Sequence, residues 1–159
     1  MLVINLELRP VDDTDRDEIF EMMRDPEAVR MAAFTAGDPD DREAFNAHHT
    51  KIMLSPDISY FGIVLDDRLV GTAATFPIGE DREVTYWIER AFWGRGIASQ
   101  ALCLLIQADP SRPLTARAAS QNTRSIAVLR KHGFIEFGRE TSFAEAAGGD
   151  IEETVFILT

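Results

Sequence analysis

Apolar and polar residues alternate in several short stretches of the chain, and this period of two is typical of half-buried β-strands. The predicted strands cover residues 4–9, 60–65, 69–76, 83–88, 114–118, 134–137 and 153–158. Asp66 and Asp67 separate the second strand from the third and predict a hairpin turn. Residues 77–82 are predicted to form a polar loop.

Apolar residues at helical spacing predict four helices. The first carries the apolar residues between Ile19 and Met23 and follows several capping candidates at residues 12–15. The other three cover residues 42–54, 97–108 and 123–131. The resulting order, β-α-α-β-β-β-α-β-α-β-β, predicts a mixed sheet with helices on its faces. No domain boundary is visible, so residues 1–159 are expected to form a single domain.

Composition and charge narrow the classes of partner. The chain has 159 residues, 45% of them hydrophobic and 27% charged, which suits one folded core rather than disorder. The formal net charge of −11 argues against binding nucleic acid or an anionic membrane, because both require basic patches. The same charge is compatible with a cationic partner, or simply with a well-solvated surface.

Cysteine and histidine offer little metal-binding capacity. Cys103 is the single cysteine and lies in an apolar helical run, so we expect a buried thiol and neither a disulfide nor a metal cluster. His48 and His49 lie on the second predicted helix without a third ligand nearby, and we expect them at its surface. No metal site is therefore expected.

The N-terminal residues predict a cytoplasmic location. Residues 1–7 contain neither a basic leader nor a long apolar stretch. No segment approaches the roughly 20 apolar residues that a membrane span requires.

The segment with the clearest chemical signal joins the strand that ends at Ile88 to the helix at residues 97–108. It contains two glycines separated by one residue, Gly94 and Gly96. Such a turn lets successive backbone N–H groups point outward, and the start of the helix adds unpaired amides and the positive end of its dipole. These features predict an anion site suited to a diphosphate, with added charge from Arg95.

The spacing of residues in this turn can be compared with other glycine-containing motifs. A tight connection without any ligand would have the same two glycines. A Walker loop needs a Gly-Lys pair followed by Ser or Thr, and that pattern is absent. A dinucleotide fingerprint needs a third glycine where this chain has Ser99.

Two segments resemble the GNAT N-acetyltransferase superfamily. Residues 83–88 and the turn at 93–98 resemble its acetyl-CoA signature, and Tyr86-Trp87 on the strand is closest to the RimJ/RimL-type branch. Residues 122–134 resemble the Asn-x-x-Ser helix of the family, which ends in Gly-Phe. The resemblance covers nearly the whole chain. It implies an α/β fold with a mixed, mostly antiparallel central sheet flanked by about four helices.

The resemblance also implies an activity, namely transfer of an acetyl group from acetyl-CoA to a primary amine by direct attack on the thioester. The acceptor would be a protein N-terminus, an amino acid or another small amine. The acceptor pocket in this fold would lie near residues 22–54 and 143–151, where acidic residues suit a cationic acceptor. Pairing into a homodimer, which many relatives show, is a further expectation.

The resemblance assigns most of the cofactor contacts to the glycine turn and its neighbours. The strand from Tyr86 to Ile88 is expected to splay from residues 114–118 and to pair with the pantetheine arm. Asn122 is expected to hydrogen-bond that arm, to cap its helix, or both. The complete set of expected acetyl-CoA contacts is Tyr86, Trp87, Ile88, Trp93, Gly94, Arg95, Gly96, Ile97, Ala98, Ser99 and Asn122.

Catalysis requires a neutral amine, a stabilised oxyanion and a proton for the thiolate. Glu83 is expected to be the general base, acting through water, although an ordinary solvated carboxylate would have the same sequence signal. Glu89 is a weaker rival. Ser125 is expected to act as the acid or to stabilise the thiolate, and a hydroxyl in the first turn of a helix is also a routine cap. Leu129 replaces the tyrosine that the family often uses as the acid.

A second interpretation is a binding module that senses acyl-CoA without turnover. The Leu129 departure favours this interpretation, whereas Glu83 and Ser125 favour the enzyme. A purely structural subunit with the same fold is a third alternative. Thiol release from acetyl-CoA separates the first from the other two.

Overall fold

The computed structural model describes residues 5–33 and 37–159, and within these ranges seven strands form one sheet. The strands are β1 (Leu6–Pro10), β2 (Ser59–Leu65), β3 (Arg68–Ile78), β4 (Asp81–Ile88), β5 (Leu114–Ala119), β6 (Ile135–Ala144) and β7 (Gly149–Leu158). Their order across the sheet is β1-β2-β3-β4-β5-β7-β6. All neighbours are antiparallel except β4 and β5, which are parallel.

Five helices accompany the sheet in the same ranges: α1 (Arg16–Met23), α2 (Pro26–Ala32), α3 (Arg42–Leu54), α4 (Ile97–Ala108) and α5 (Thr123–Lys131). Three of them begin at a side chain that accepts a hydrogen bond from a free amide of the first turn. Asp25 caps α2, Asp41 caps α3 and Asn122 caps α5. In the part of the chain that the structure describes, none of the helices has the length and apolar character needed to cross a bilayer.

The two faces of the sheet bury separate apolar clusters. One face packs against α4 and α5, and its centre includes the fully buried Leu105, Leu114 and Phe156. The opposite face, on the β2–β3 side, buries Ile19 and Met22 of α1 in a second cluster. Alternate residues of each strand point to opposite faces, so the two clusters divide the side chains of the central strands between them.

The parallel junction between β4 and β5 is short. Arg82 pairs with Leu114 and Glu83 pairs with Thr115, and the ladder continues no further. The part of β4 from Thr85 to Ile88 is paired with β3 on one side only. The two strands therefore splay apart, as expected, and open a cleft in the middle of the sheet.

The predicted fold class is confirmed, with differences in the elements. There are five helices rather than four, because the seven-residue α2 was not predicted. The prediction of a polar loop at residues 77–82 is wrong, since β3 extends to Ile78 and β4 begins at Asp81. β6 and β7 form a long hairpin of ten residues each, where shorter strands were expected. Residue 4 of the first predicted strand lies outside the described residues.

Two side chains differ from their expected burial. His49 is 1% exposed and packs between the rings of Phe45 and Tyr60, whereas it was expected at the surface. It lies one turn after Phe45 on the inner side of α3, while His48 is exposed. Cys103 was expected to be buried, but it is partly exposed on α4.

Candidate active site

A cavity of about 470 Å³ lies where β4 splays from β5. Its size is in the range typical of small-molecule sites. The free end of β4, the glycine turn, the first turn of α4, α5 and α2 all contribute to its wall. The lining residues are Ala28, Met31, Ala32, Tyr86, Trp87, Ile88, Phe92, Trp93, Gly94, Gly96, Ile97, Ala98, Ser99, Asn122, Arg124, Ser125, Ala127 and Val128. We call this cavity the cleft.

The glycine turn has the backbone conformation that its sequence predicts. Gly94 and Gly96 both lie in the left-handed region, with φ of +77° and +76°. Gly96 is the N-cap of α4, and its carbonyl accepts the first helical hydrogen bond from the amide of Gln100, at 3.1 Å. The amides that precede Gln100 at the start of α4 are therefore left for a ligand, at the positive end of the helix dipole.

Aromatic side chains fix the turn against the end of β4. The indole N–H of Trp93 donates to the carbonyl of Ile88 at 2.9 Å. Its ring lies 5.7 Å from the guanidinium carbon of Arg124, which lines the cleft from the first turn of α5. Arg124 was not among the expected site residues, although a cation two positions after a helix cap next to an anion site was a usable signal.

Arg95 is the expected cofactor residue that does not line the cleft among the described residues. It is exposed, and its guanidinium carbon lies 5.2 Å from the centroid of the Phe92 ring. Arg95 therefore lies at the rim of the cleft, where its charge would attract an anionic ligand without touching it. The other expected cofactor residues all belong to the lining listed above.

The start of α5 brings two hydroxyl groups together in the cleft. Asn122 caps the helix by accepting from the amide of Ser125 at 3.2 Å, and its own amide donates to the Met31 carbonyl of α2 at 3.5 Å. The Ser125 hydroxyl is hydrogen-bonded to the Tyr86 phenol at 2.8 Å. Burial raises the pKa of Tyr86, and the Ser125 bond acts in the opposite direction. Leu129, one turn further along α5, is buried.

Glu83 lies outside the cleft lining, at the last paired position of β4 and β5. It is three residues before Tyr86, so the alternation of the strand directs it to the opposite face of the sheet. Glu83 is 8% exposed. Its carboxylate accepts hydrogen bonds from the Arg117 guanidinium at 2.5 Å and from the Thr115 hydroxyl at 3.1 Å. Trp87 points to this same face, where its indole donates to the Met22 carbonyl at 3.3 Å.

Two further carboxylates surround Arg117 on the Glu83 face. Glu140 of β6 lies 3.6 Å from the Arg117 guanidinium. Glu153 of β7 is partly buried, and its burial raises the pKa of its carboxyl while the charge of Arg117 lowers it. A carboxyl with a raised pKa is a candidate proton acceptor near neutral pH. Sequence reasoning missed Glu153, although its inward position in a strand was visible as a break in the alternation at residues 151–155.

A second cavity of about 720 Å³ lies beside the end of β4 and is lined by Asp17, Glu18, Glu21, Met22, Asp25, Arg68, Leu69, Glu89, Arg90 and Ala91. Its two arginines each face a carboxylate, with Arg68 at 3.6 Å from Glu89 and Arg90 at 3.4 Å from Asp25. Carboxylates outnumber arginines in this lining and would repel a polyanionic ligand. The cleft is therefore the better site for a diphosphate, and Glu89, the weaker rival for the base, lies away from it.

Sequence comparisons relate the chain to known acetyltransferases. The family model described as acetyltransferase (GNAT) domain matches residues 5–135. Ribosomal-protein-serine acetyltransferase of Escherichia coli (strain K12) is 30% identical over 100 residues, which is 57% of this chain and 56% of that protein. The match thus spans little more than half of the curated relative.

Two solved structures share the fold at low identity. RimJ of Mycobacterium smegmatis, in complex with CoA-disulfide, has a TM-score of 0.81 and 22% identity, covering 97% of this chain and 81% of that one. RimL, a ribosomal alpha-N-protein acetyltransferase in complex with coenzyme A, has a TM-score of 0.77 and 20% identity, covering 96% and 94%. At these identities the likeness concerns the arrangement of helices and strands.

Proposed function

We propose, from the premise that this chain belongs to the GNAT acetyltransferase family, that it transfers an acetyl group from acetyl-CoA to a primary amine. The proposal rests on one observation, the cleft in which a left-handed glycine turn, a helix N-terminus and an unpaired strand edge meet. The glycine turn and the helix N-terminus suit a diphosphate, and the unpaired strand edge suits the peptide-like arm that leads to the thioester. We further propose that residues 1–159 act as one domain.

Acetyl-CoA would be held mainly by backbone groups. The turn and the first turn of α4 would bind the diphosphate through their free amides, with charge from Arg124 and, at the rim, Arg95. Among the described residues, the edge of β4 from Thr85 to Ile88 has no partner strand on the β5 side. Its outward N–H and C=O groups, except the Ile88 carbonyl that accepts from Trp93, are available to the amides of the pantetheine arm. Asn122 keeps the start of α5 in place beside that arm.

The acceptor would approach from the other face of the sheet, where the carboxylates lie. Glu83 is our proposed general base, acting through water on the ammonium group of the acceptor. Glu83 is ion-paired with Arg117, whereas burial raises the pKa of the Glu153 carboxyl on the same face. Ser125 is the proposed group on the thiolate side, since it lies in the cleft on the α5 wall.

A protein N-terminus is the acceptor that we favour. The curated relative acetylates a ribosomal protein. Acidic residues in the expected acceptor region suit a cationic amine: Asp38, Asp40, Asp41, Glu145 and Asp150. Residues 34–36 of the expected acceptor region lie outside the described residues.

The test is release of free thiol from acetyl-CoA with a panel of amines and ribosomal N-terminal peptides. Turnover with one class of acceptor is expected for the wild type. Glu83→Gln is expected to lose activity or to shift it to higher pH, because a general base contributes about 10² to 10⁴ in rate. Glu153→Gln is the matched variant on the same face, and it identifies the base if the larger loss falls there instead.

The competing proposal is an acyl-CoA sensor. Binding of coenzyme A by the wild type, without thiol release on any acceptor, would favour the sensor and reject the enzyme. Failure to bind coenzyme A at all would contradict both.

A further inference from the structure

The side chains of the cleft contain few groups that can give a proton to a departing thiolate. Among those that line it in the described chain, the asparagine, tryptophan and arginine side chains stay protonated at any ordinary pH. Ser99 is committed to the neighbouring helix, with its hydroxyl 2.8 Å from His132 Nε2. The remaining donors are the hydroxyls of Tyr86 and Ser125, which lie 2.8 Å apart.

The acidity of these two hydroxyls differs greatly. A phenol has an ordinary pKa within about two units of that of a thiol. An aliphatic hydroxyl such as that of Ser125 does not ionise in the pH range of proteins. Efficient proton transfer needs a donor whose acidity approaches that of the acceptor. Tyr86 is therefore the better matched donor, and it reaches α5 from β4 across the cleft.

We propose that Tyr86 is the general acid of this site and that Ser125 is the residue that positions it. This inference rests on the proposed function and identifies a residue for one of its steps. Ser125 donates its hydrogen to the phenol oxygen, which leaves the phenol hydrogen free to face the sulfur of the bound thioester. The same bond stabilises the phenolate when that hydrogen departs.

The step balances in atoms and charge. The neutral amine attacks the thioester carbon, a C–N bond forms and the carbonyl becomes an oxyanion. The nitrogen loses its proton to the base on the other face of the sheet. The oxyanion collapses, the C–S bond breaks with its electron pair on sulfur, and the phenol proton of Tyr86 passes to that sulfur. The phenolate then regains a proton from solvent, so coenzyme A leaves as the free thiol.

The position of this pair depends on the structure around it. Asn122 fixes the first turn of α5 by accepting from the Ser125 amide, and it is itself joined to α2 through the Met31 carbonyl. β4 is held on its other side by the full ladder to β3, in which Tyr86 pairs with Ala73. The distance between the phenol and the serine hydroxyl is therefore set by two fixed elements.

The test compares Tyr86→Phe, Ser125→Ala and the double variant, with the intact chain and the acceptor that gives the fastest thiol release. Tyr86→Phe is expected to lower kcat by about 10²-fold with little change in the Kd of coenzyme A. Ser125→Ala is expected to lower kcat less. The double variant is expected to match Tyr86→Phe, because Ser125 acts through Tyr86.

The chain offers a matched control, because Tyr60 is its other tyrosine. Tyr60 lies against the second apolar cluster, away from the cleft, and Tyr60→Phe is expected to leave kcat unchanged. With Tyr60 replaced, phenolate absorbance during a pH titration reports on Tyr86 alone. Addition of Ser125→Ala is then expected to move that titration to higher pH, which a purely structural role of Ser125 would not require.

Several outcomes would overturn the assignment. A wild-type rate in Tyr86→Phe would show that the phenol is not the proton donor. Ser125 would be the direct donor if Ser125→Ala lost as much activity as Tyr86→Phe and the double variant lost more. An equal fall in kcat and in coenzyme A affinity would make Tyr86 a binding residue. No thiol release by the wild type itself would reject the proposed function, and the acid with it.

Discussion

His49 is a titratable residue that is buried between two aromatic rings. Its imidazole is 1% exposed between Phe45 and Tyr60, and its Nε2 has no hydrogen-bond partner among the described residues. Burial lowers its pKa, because a charged imidazole would lose its hydration without a compensating partner. A buried polar atom of this kind is expected to make folding depend on pH.

The sign of that dependence follows from the lowered pKa. Below the ordinary histidine pKa of about 6.5, the unfolded chain binds a proton at this site before the folded chain does. The free energy of unfolding is therefore expected to fall as the pH drops from about 7 toward 5, by about 1.4 kcal/mol for each unit by which the pKa is lowered. His49→Leu is expected to flatten this part of the profile, measured by urea unfolding at several pH values.

The matched control is His132→Gln. Burial also lowers the pKa of His132, but its imidazole is hydrogen-bonded to Ser99 and less deeply buried. A smaller effect on the slope is expected from this variant. An unchanged slope in His49→Leu would show that other groups control the acid limb. The lowered pKa of Asp15 acts only below the ordinary range of carboxylates, outside this window.

At the scale of one element, the glycine turn before α4 can be separated into its structural and its binding roles. Gly96→Ala places a side chain at φ +76°, which costs about 1–2 kcal/mol for a residue other than glycine. Nothing lies within 4 Å of the added Cβ, so the cost comes from the backbone alone. Relaxation of this strain would turn the amides of α4 away from the ligand. We expect the Kd of coenzyme A to rise by tenfold or more, measured by calorimetry.

Gly79→Ala provides the comparison. Gly79 also has a positive φ, +58°, with open space around its Cβ, but it lies in the turn between β3 and β4. A similar loss of stability with an unchanged Kd is expected. Equal effects of the two variants on coenzyme A binding would remove the turn at residues 94–96 from the binding site.

How far each element could be predicted depended on whether its signal was local. α3 and α4 were predicted with the observed bounds, since each has apolar residues at helical spacing and a clear beginning and end. α2 was missed because it is only seven residues long, although Asp25-Pro26 at its start is a cap followed by a proline at the first helical position. The two-residue turn between β3 and β4 was missed because its polar residues have the same composition as a loop.

The candidate site followed a similar division. The turn at residues 94–96 and the Asn122 cap could be predicted, because their chemistry lies within a few residues of sequence. The bond between Tyr86 and Ser125 joins residues 39 positions apart, and it exists only because β4 and α5 meet across the cleft. The pairing of Glu83 with Arg117 depends in the same way on the short parallel ladder. Such contacts have no local pattern in the chain.

At the scale of the whole molecule, the two faces of the sheet differ in charge. The face of the cleft has the positive groups of the helix N-terminus and Arg124. The opposite face has Glu83, Glu140 and Glu153 near the guanidinium of Arg117. With a net charge of −11, the molecule repels anions at long range, so an anionic ligand would have to be held by local groups. This arrangement suits a site that admits a cation from one side and an anion from the other.

The last strand lies inside the sheet, although the family match ends at residue 135. β7 lies between β5 and β6, and it pairs with β5 through six residue pairs. Phe156 of β7 is 0% exposed in the same cluster as Leu105 of α4. Phe156→Ala is therefore expected to lower the free energy of unfolding by about 3–5 kcal/mol, as truncation of a buried phenylalanine does.

Urea unfolding followed by tryptophan fluorescence would measure this loss, with Phe143→Ala as the control on the same hairpin. Phe143 is 63% exposed, so its truncation is expected to change stability by about 0.5 kcal/mol or less. A comparable small effect in both variants would mean that the hairpin is an independent appendage of the sheet. The large loss that we expect in Phe156→Ala would instead mean that β7 holds β5 in place, and with it the side of the cleft from which β4 splays.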